Sequence, residues 1–337
     1  MKKKLLTLAV AAALPMATQA ANAEVTIYGK IHASIDYVSS DTTGEEDVWD
    51  VTSRATRLGF KGSEDLGDGM KMIWKIETQM NLAEGGNFTF RNAYIGLAGG
   101  WGTFLFGRHD TPVKMSTGKL DIFGDTIADY NAGNQVGRNG GLIDVRANDA
   151  IAYVSPNFSG LTLVGAIVPD VDYEGVTNPE AGDLAGAYSI AAMYSNGGLF
   201  IGAGYESLDD VLGGIDASHW RIGVGFDFGD FHIGGVYQDA DAAFAQNTEF
   251  KTYTINGSYK FGNNVVKAMW MRSDWDDDVT YGDTTDDKFD SWAIGLDHNF
   301  SKRSKVYLIY AASDADLHGT NATGEQDGFS MGMVHKF

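Results

Sequence analysis

The sequence lacks cysteine altogether and has only 5 prolines among 337 residues, so no disulfide framework holds the chain together. Long apolar runs are also missing. After residue 23, Gly, Asp or Asn interrupts every run before it reaches 18 apolar residues, and a membrane-spanning helix needs about 20. Basic residues are scarce, since 25 Lys and Arg stand against 45 Asp and Glu, for a net charge of −20. This balance excludes nucleic acid as a partner, because binding it requires clustered basic side chains.

The first 23 residues have the pattern of an export signal. Residues 2–4 are lysines, residues 5–14 form an apolar stretch of ten, and residues 21–23 read Ala-Asn-Ala. Such a stretch is too short to cross a bilayer of roughly 30 Å, whereas a basic start, a short apolar core and a small-x-small end are typical of a cleaved signal peptide. We therefore expect a signal at residues 1–23 and a mature domain at residues 24–337.

Apolar and polar residues alternate with a period of two in the rest of the chain. In the first segment the apolar set is Val25, Ile27, Gly29, Ile31, Ala33, Ile35 and Tyr37. In a later segment Met70, Met72, Trp74 and Ile76 face away from Lys71, Lys75, Glu77 and Gln79. Such segments predict sixteen strands, at residues 25–38, 51–62, 69–82, 88–98, 101–108, 148–155, 158–168, 185–195, 199–207, 217–228, 230–239, 249–260, 264–273, 288–300, 304–313 and 327–337. One apolar and one polar face are what a strand between lipid and water requires.

The connections between these strands alternate in length. The short ones lie at residues 64–68, 99–100, 155–157, 196–198, 229–230, 262–264 and 301–303. The long ones lie at 39–50, 109–147, 169–184, 208–216, 240–248, 274–287 and 314–326, and only 83–87 breaks the rule. Short turns on one side and long loops on the other are typical of an outer-membrane barrel. The predicted fold is therefore an all-β transmembrane antiparallel barrel of sixteen strands in the outer membrane of a Gram-negative bacterium.

Aromatic residues gather beside the short turns. They are Phe60, Trp101, Phe158, Phe200, Phe231, Phe261, Phe300 and Phe337. In a soluble sandwich such residues would be scattered through the core. Their position at one end of consecutive strands favours an interfacial girdle, where rings sit at the level of the lipid headgroups.

Four stretches resemble the Gram-negative general porin family. They are residues 23–29 (AEVTIYG), 57–67 (RLGFKGSEDLG), 91–97 (RNAYIGL) and 148–158 (NDAIAYVSPNF). The chain also ends on Phe337 after an alternating run, like the terminal assembly signal of that family. The resemblance implies a homotrimer in outer-membrane lipid and lipopolysaccharide, assembly through Phe337, and passive passage of small hydrophilic solutes. It also implies a third loop that folds into the pore.

The third connection supports such a loop by its size and composition. Residues 109–147 number 39, whereas the other loops on the same side, 83–87 included, hold about five to sixteen. Its apolar residues are Leu120, Ile122, Phe123, Ile127, Tyr130, Leu142 and Ile143. They need a surface to pack on, and a barrel of this girth otherwise leaves an open aqueous channel. We expect the loop to fold inward rather than to form an external flap.

In the family that the chain resembles, an arginine cluster on the pore wall opposes acids on this loop. By motif the arginines correspond to Arg57, Arg91 and Arg146. Alternation supports an inward Arg57, because Leu58 and Phe60 face lipid, and an inward Arg146 if its strand extends back from the outward Ile151 and Tyr153.

Arg91 fits the alternation less well. An inward Arg91 would also turn Ile95 and Leu97 inward. Either this strand faces another subunit, with the small Gly96 and Ala98 outward, or a bulge shifts its register.

Further charged residues are predicted around the same constriction. Lys30, Lys71, Lys75 and Arg221 share the inward face of their strands. The candidate opposing carboxylates on the loop are Asp121, Asp125, Asp129 and Asp144. Opposed rows of charge across water favour dipolar hydrated solutes. The same residues could alternatively be salt bridges that only pin the loop. The sequence leaves the sign of ion selectivity open.

Other functions find less support in the residues. His32 and Ser34 share one strand face, as in some outer-membrane hydrolases, but no acid is spaced to orient the histidine. A sugar- or phosphate-selective channel is the second alternative, although few aromatic residues other than Tyr28 face inward. The acidic connection 274–287 lacks the glycine and final glutamate of an EF-hand, so a solvated loop that holds divalent ions loosely is expected. No catalytic residue, cofactor or specific metal site is predicted.

Overall fold

The computed structural model describes residues 24–41, 46–131, 141–169, 183–208, 217–242, 248–276, 287–316 and 324–337. The predicted signal at 1–23 and most of the acidic connection 274–287 lie outside these residues. The strands are β1 (Glu24–Ser40), β2 (Val48–Ser53), β3 (Arg57–Gly67), β4 (Met70–Gln79), β5 (Thr89–Gly99), β6 (Gly102–Asp110), β7 (Arg146–Val154), β8 (Leu161–Val168), β9 (Ala187–Asn196), β10 (Leu199–Leu208), β11 (Ala217–Phe228), β12 (Phe231–Ala242), β13 (Thr248–Phe261), β14 (Asn264–Asp276), β15 (Asp287–Asn299), β16 (Ser304–Asp316) and β17 (Gly324–Lys336).

The strands form one closed antiparallel barrel. Every strand except β2 pairs with the strand that follows it along the chain, and β1 pairs with β17 to close the ring. β2 and β3 both pair with β1 as two parts of a single interrupted strand, so the barrel has sixteen strands, which confirms the prediction. The interruption was not predicted. It occurs where Arg54 turns inward and bonds Asp36 at 2.6 Å.

The helical segments are short. Helix α1 (Pro112–Thr117) and a 3-10 turn at Gly118–Leu120 both belong to the connection between β6 and β7. In the described ranges, no helix has the length and apolarity needed to cross a membrane.

Alternation along the strands places apolar side chains outside and polar ones inside. On β1, Ile27 is 60% exposed, whereas His32 and Ser34 are buried. Seven of the eight predicted girdle aromatics are exposed, and Phe200 is wrong because it is buried inside the barrel. It shares the inward face of β10 with Gly202 and packs against the connection between β6 and β7.

The C-terminal residue completes the closure. Phe337 and Gly29 exchange two backbone hydrogen bonds of 3.1 Å. A Cβ atom at Gly29 would lie 2.6 Å from the Phe337 ring, so the ring packs against space that only a glycine leaves free. The final residue is thus part of the finished barrel seam.

Candidate pore constriction

The described parts of the connection between β6 and β7, residues 111–131 and 141–145, fold into the barrel as predicted. Its apolar residues Leu120, Phe123, Ile127, Tyr130 and Leu142 are each at most 1% exposed. They form one cluster with inward residues of the wall, which include Met271, Phe289 and Ile309. The inner wall therefore supplies the apolar surface that the composition of this connection requires. We call residues 111–131 and 141–145 the constriction loop.

Glycines on the wall form the seat of this loop. A Cβ atom at Gly202 would lie 1.8 Å from the carbonyl oxygen of Ser116, and one at Gly223 would lie 2.5 Å from Leu120. Real Cβ atoms essentially never come that close to another atom. The first part of the loop can therefore lie directly on β10 and β11 because these positions carry no side chain.

Arg221 on β11 fastens both ends of the loop. Its guanidinium donates to Asp144 at 2.7 Å, to Thr117 Oγ1 at 3.0 Å and to Gln238 Oε1 at 2.8 Å. Arg221 is 0% exposed, so its predicted place on the open pore wall is wrong. The loop covers it, and a side chain without solvent access cannot meet a permeating solute. Arg221 and Asp144 instead form a buried salt bridge that holds the loop in place, which was the alternative to a role in solute passage.

Further wall residues hold the middle of the loop through its backbone. Asn256 on β13 donates to the carbonyl of Leu120 at 2.8 Å, and Lys267 on β14 donates to that of Ile122 at 3.0 Å. Lys267 also pairs with Asp297 at 3.3 Å. The loop thus packs against the wall from β9 to β15, whereas Arg57, Lys75 and Arg91 on β3 to β5 keep about a fifth of their side-chain surface exposed.

A carboxylate on the open wall gathers several cations around it. Glu77 on β4 lies 2.9 Å from Arg91, 3.3 Å from Lys75 and 3.8 Å from Arg57, and it accepts a hydrogen bond of 2.8 Å from the Tyr28 hydroxyl. Alternation along β4 predicts an inward Glu77 but indicates no role for it. Its place on the inward face two residues after Lys75, on the strand that follows the strand of Arg57, was the signal that could have identified it.

The constriction loop reaches this basic wall through Asp125. Its carboxylate lies 2.7 Å from Arg57 and also bonds Lys30. Burial by itself raises the pKa of Asp125, but the charges of Arg57 and Lys30 outweigh burial and hold that pKa below its usual range. Asp125 is therefore an anion at neutral pH. The expectation that it faces the arginines across water is wrong, since the ion pair is direct.

The other predicted loop acids do not reach the open wall. Asp121 accepts a hydrogen bond from the backbone of Phe123 at 2.9 Å. Asp129 accepts bonds from the backbone of Asp125 at 2.6 Å and of Asn131 at 2.9 Å. Both carboxylates thus stabilise local turns within the loop, because short Asp side chains readily bond backbone groups a few residues away.

Arg146 lies at the root of the loop. It pairs with Asp110 at 2.7 Å and donates to Asn92 at 2.8 Å, and Lys114 lies 3.5 Å from the same Asp110 carboxylate. Asp110 and Lys114 were not predicted. Both follow the last apolar residue of β6, where alternation no longer indicates direction.

The orientation of Arg91 is explained by a bulge. The register between β4 and β5 shifts at Ile76 and Thr78. Arg91 consequently reaches Glu77 inside the barrel while Ile95 is 42% exposed outside. The alternative in which Gly96 faces outward is wrong, because a Cβ atom there would meet the buried Leu105 at 2.8 Å.

Two predicted features lie apart from the constriction. Lys71 is exposed near the start of β4, four residues from Lys75 toward the short turn. His32 bonds the Tyr307 hydroxyl at 2.9 Å, whereas Ser34 donates to Asp36. The pairing of His32 with Ser34 that a hydrolase requires is not formed.

A closed barrel with an apolar exterior, an inward-folded loop and a charged constriction defines a porin. The profile of the Gram-negative porin family matches residues 7–318, and the chain belongs to this family. It is 30% identical over 362 residues to the major outer membrane protein P.IB of Neisseria meningitidis serogroup B, with 100% of both chains covered. It is 28% identical to outer membrane porin protein 32 of Delftia acidovorans, again with 100% of both chains covered.

Solved structures share the fold. An anion-selective porin from Comamonas acidovorans superposes with a TM-score of 0.77 at 24% identity, over 94% of this chain and 100% of that chain. Salmonella typhi OmpF in complex with daunomycin gives 0.71 at 18% identity, over 93% and 97%. The protein is a passive diffusion channel of the outer membrane and not an enzyme.

Proposed function

We propose that the narrowing between Asp125 and the basic wall selects among small hydrophilic solutes and favours anions. The observation that carries this proposal is local charge. Within the described ranges, Lys30, Arg57, Lys75 and Arg91 meet only two carboxylates, Glu77 and Asp125. The narrowing is therefore net positive although the chain carries −20.

Screening makes the local charges decisive. The Debye length is about 8 Å at physiological salt, so carboxylates in distant loops act weakly on an ion at the narrowing. Arg146 adds a further cation, because Asp110 is shared between Arg146 and Lys114. The Comamonas porin, described as anion-selective, has the same fold, which is in line with this proposal.

The function is tested with purified protein in planar bilayers and liposomes. We expect stepwise single-channel conductance and liposome swelling with small sugars that slows as the sugar grows. In a KCl gradient, the reversal potential should have the sign of a chloride preference, and the preference should weaken at high salt. A potassium preference at low salt would contradict the anion proposal and leave the porin assignment intact.

The assembly of the protein is also part of the proposal. We infer a homotrimer in contact with outer-membrane lipid and lipopolysaccharide, reached after cleavage of residues 1–23. A solved OmpT of Vibrio cholerae with the same fold is described as a trimer form. The outward apolar face, with Ile27 at 60% and Ile255 at 58% exposed, supplies surface for both lipid and neighbouring subunits.

Phe337 is proposed as the signal for the assembly machinery. Deletion of Phe337 should leave most of the protein in the periplasm or degraded, as measured by outer-membrane fractionation. The same variant refolded in detergent should still form the heat-modifiable barrel, because β17 keeps eleven register pairs with β1. Failure in detergent as well would show that Phe337 acts through its packing on Gly29 and not through recognition. Normal insertion in cells would contradict both roles.

A further inference from the structure

Two lysines lie directly opposite each other between the constriction and the short turn that joins β3 to β4. Lys61 on β3 is paired in register with Lys75 on β4, and both belong to the inward face that carries Arg57 and Glu77. Like charges in directly opposite positions destabilise a sheet. Lys75 shares Glu77 with two arginines, and Lys61 forms no ion pair within the part of the chain that the structure describes.

A fixed aromatic ring keeps the two ammonium groups close to one place. Their Nζ atoms lie 5.4 Å (Lys61) and 5.7 Å (Lys75) from the centroid of the Tyr28 ring. The Tyr28 hydroxyl is held by Glu77 at 2.8 Å, and the ring covers Gly59, where a Cβ atom would lie 2.2 Å away. The ring face attracts both cations but gives neither of them a counter-charge.

We propose that Lys61, Lys75 and the Tyr28 ring form an anion-binding station that prefers small dianions, such as hydrogen phosphate or a short dicarboxylate. One dianion compensates both ammonium groups, whereas chloride compensates only one. The inference rests on the proposed anion preference, since a dianion that enters from outside must first pass Arg57. Lys61 lies four residues beyond Arg57 along β3, a rise of roughly 13 Å, so a solute leaving the narrowing meets the station next.

The cationic run ends just beyond this station. Lys71, four residues from Lys75, stands opposite Asp65 in the register of β3 and β4. The short turn between the strands follows directly. On β3 and β4, between the narrowing and the short turn, the surplus of positive charge is therefore confined to the pair Lys61 and Lys75, which is what distinguishes a binding station from a uniformly basic wall.

The test measures how strongly added dianions block the chloride current through the channel in planar bilayers. Phosphate at pH 8, succinate or malonate is added on the side of the short turns while KCl carries the current. We expect concentration-dependent block of the unaltered channel, and Lys61→Gln should weaken it roughly tenfold, since removal of one nearby charge is worth about a factor of ten. Lys61→Arg should retain the block. Lys260→Gln, an exposed lysine near the same end of β13, is the matched control.

Each outcome separates this inference from the proposed function. Block by phosphate but not by the dicarboxylates, or the reverse, identifies which dianion fits and supports the station. Equal weakening by Lys61→Gln and Lys260→Gln, or the absence of any block, overturns it. The chloride preference of Lys61→Gln in a KCl gradient should keep its sign, because Arg57 and Arg91 remain. If the unaltered channel prefers potassium, it is the proposed function that fails.

Discussion

Replacement of Arg57 and Arg91 with glutamate should reverse the ion preference of the channel. Each guanidinium lies next to Glu77 at the narrowing. A unit charge about 4 Å from an ion is worth about 1 kcal/mol even in a medium like water. Reversal of two such charges should therefore lower the chloride-to-potassium permeability ratio by more than tenfold. The measurement is the reversal potential in a KCl gradient, and the glutamine double variant should give an intermediate value.

The matched control carries the same formal charge change elsewhere. Lys302 and Arg303 are exposed in the turn between β15 and β16, and their replacement with glutamate should shift the reversal potential far less. The effect of the Arg57 and Arg91 pair should be larger at 0.1 M than at 1 M salt, where the Debye length falls from about 10 Å to about 3 Å. Equal shifts from the two pairs would place the narrowing away from the Glu77 cluster.

Gly202→Leu should widen the channel by lifting the constriction loop from its seat. Any side chain at Gly202 meets the backbone of Ser116, where a Cβ atom would come within 1.8 Å. The loop must move, since atoms cannot approach that closely, and the shifts that overpacking forces typically cost about 1–3 kcal/mol. We expect higher single-channel conductance and faster liposome swelling with larger sugars, while the barrel itself keeps its resistance to heat and detergent.

Gly165→Leu is the control for this substitution, because nothing lies within 4 Å of a Cβ atom at Gly165. It should leave conductance unchanged. Arg221→Met tests the same seat without added bulk, since it removes the closer cation of the buried Asp144 carboxylate and leaves only Lys114 at 3.9 Å. Loss of one member of a buried pair costs about 3–5 kcal/mol, so the loop should again detach. A folded barrel of normal conductance in both variants would show that the loop is held by other contacts.

Much of this fold was determined by short-range pattern in the sequence. The period of two along β1 sets Ile27 outside and Lys30 inside whatever the rest of the chain does, because successive side chains of a strand point to opposite faces. The same rule gave the inward direction of Arg57 and Lys75. The alternation of short and long connections fixed the number of strands and the sides of the membrane, since each strand must reverse the direction of the one before it.

The tertiary structure decided which of the inward residues a solute can reach. Arg57 and Arg221 both face inward, but the constriction loop leaves the first open and covers the second. Asp125 meets the wall while Asp129 bonds its own loop, and a bulge turns Arg91 toward Glu77. None of these outcomes follows from alternation, because each depends on where a long irregular segment packs against strands that are remote in sequence. The sequence determined the barrel and the direction of its side chains, and the packing of one loop inside it determined the pore.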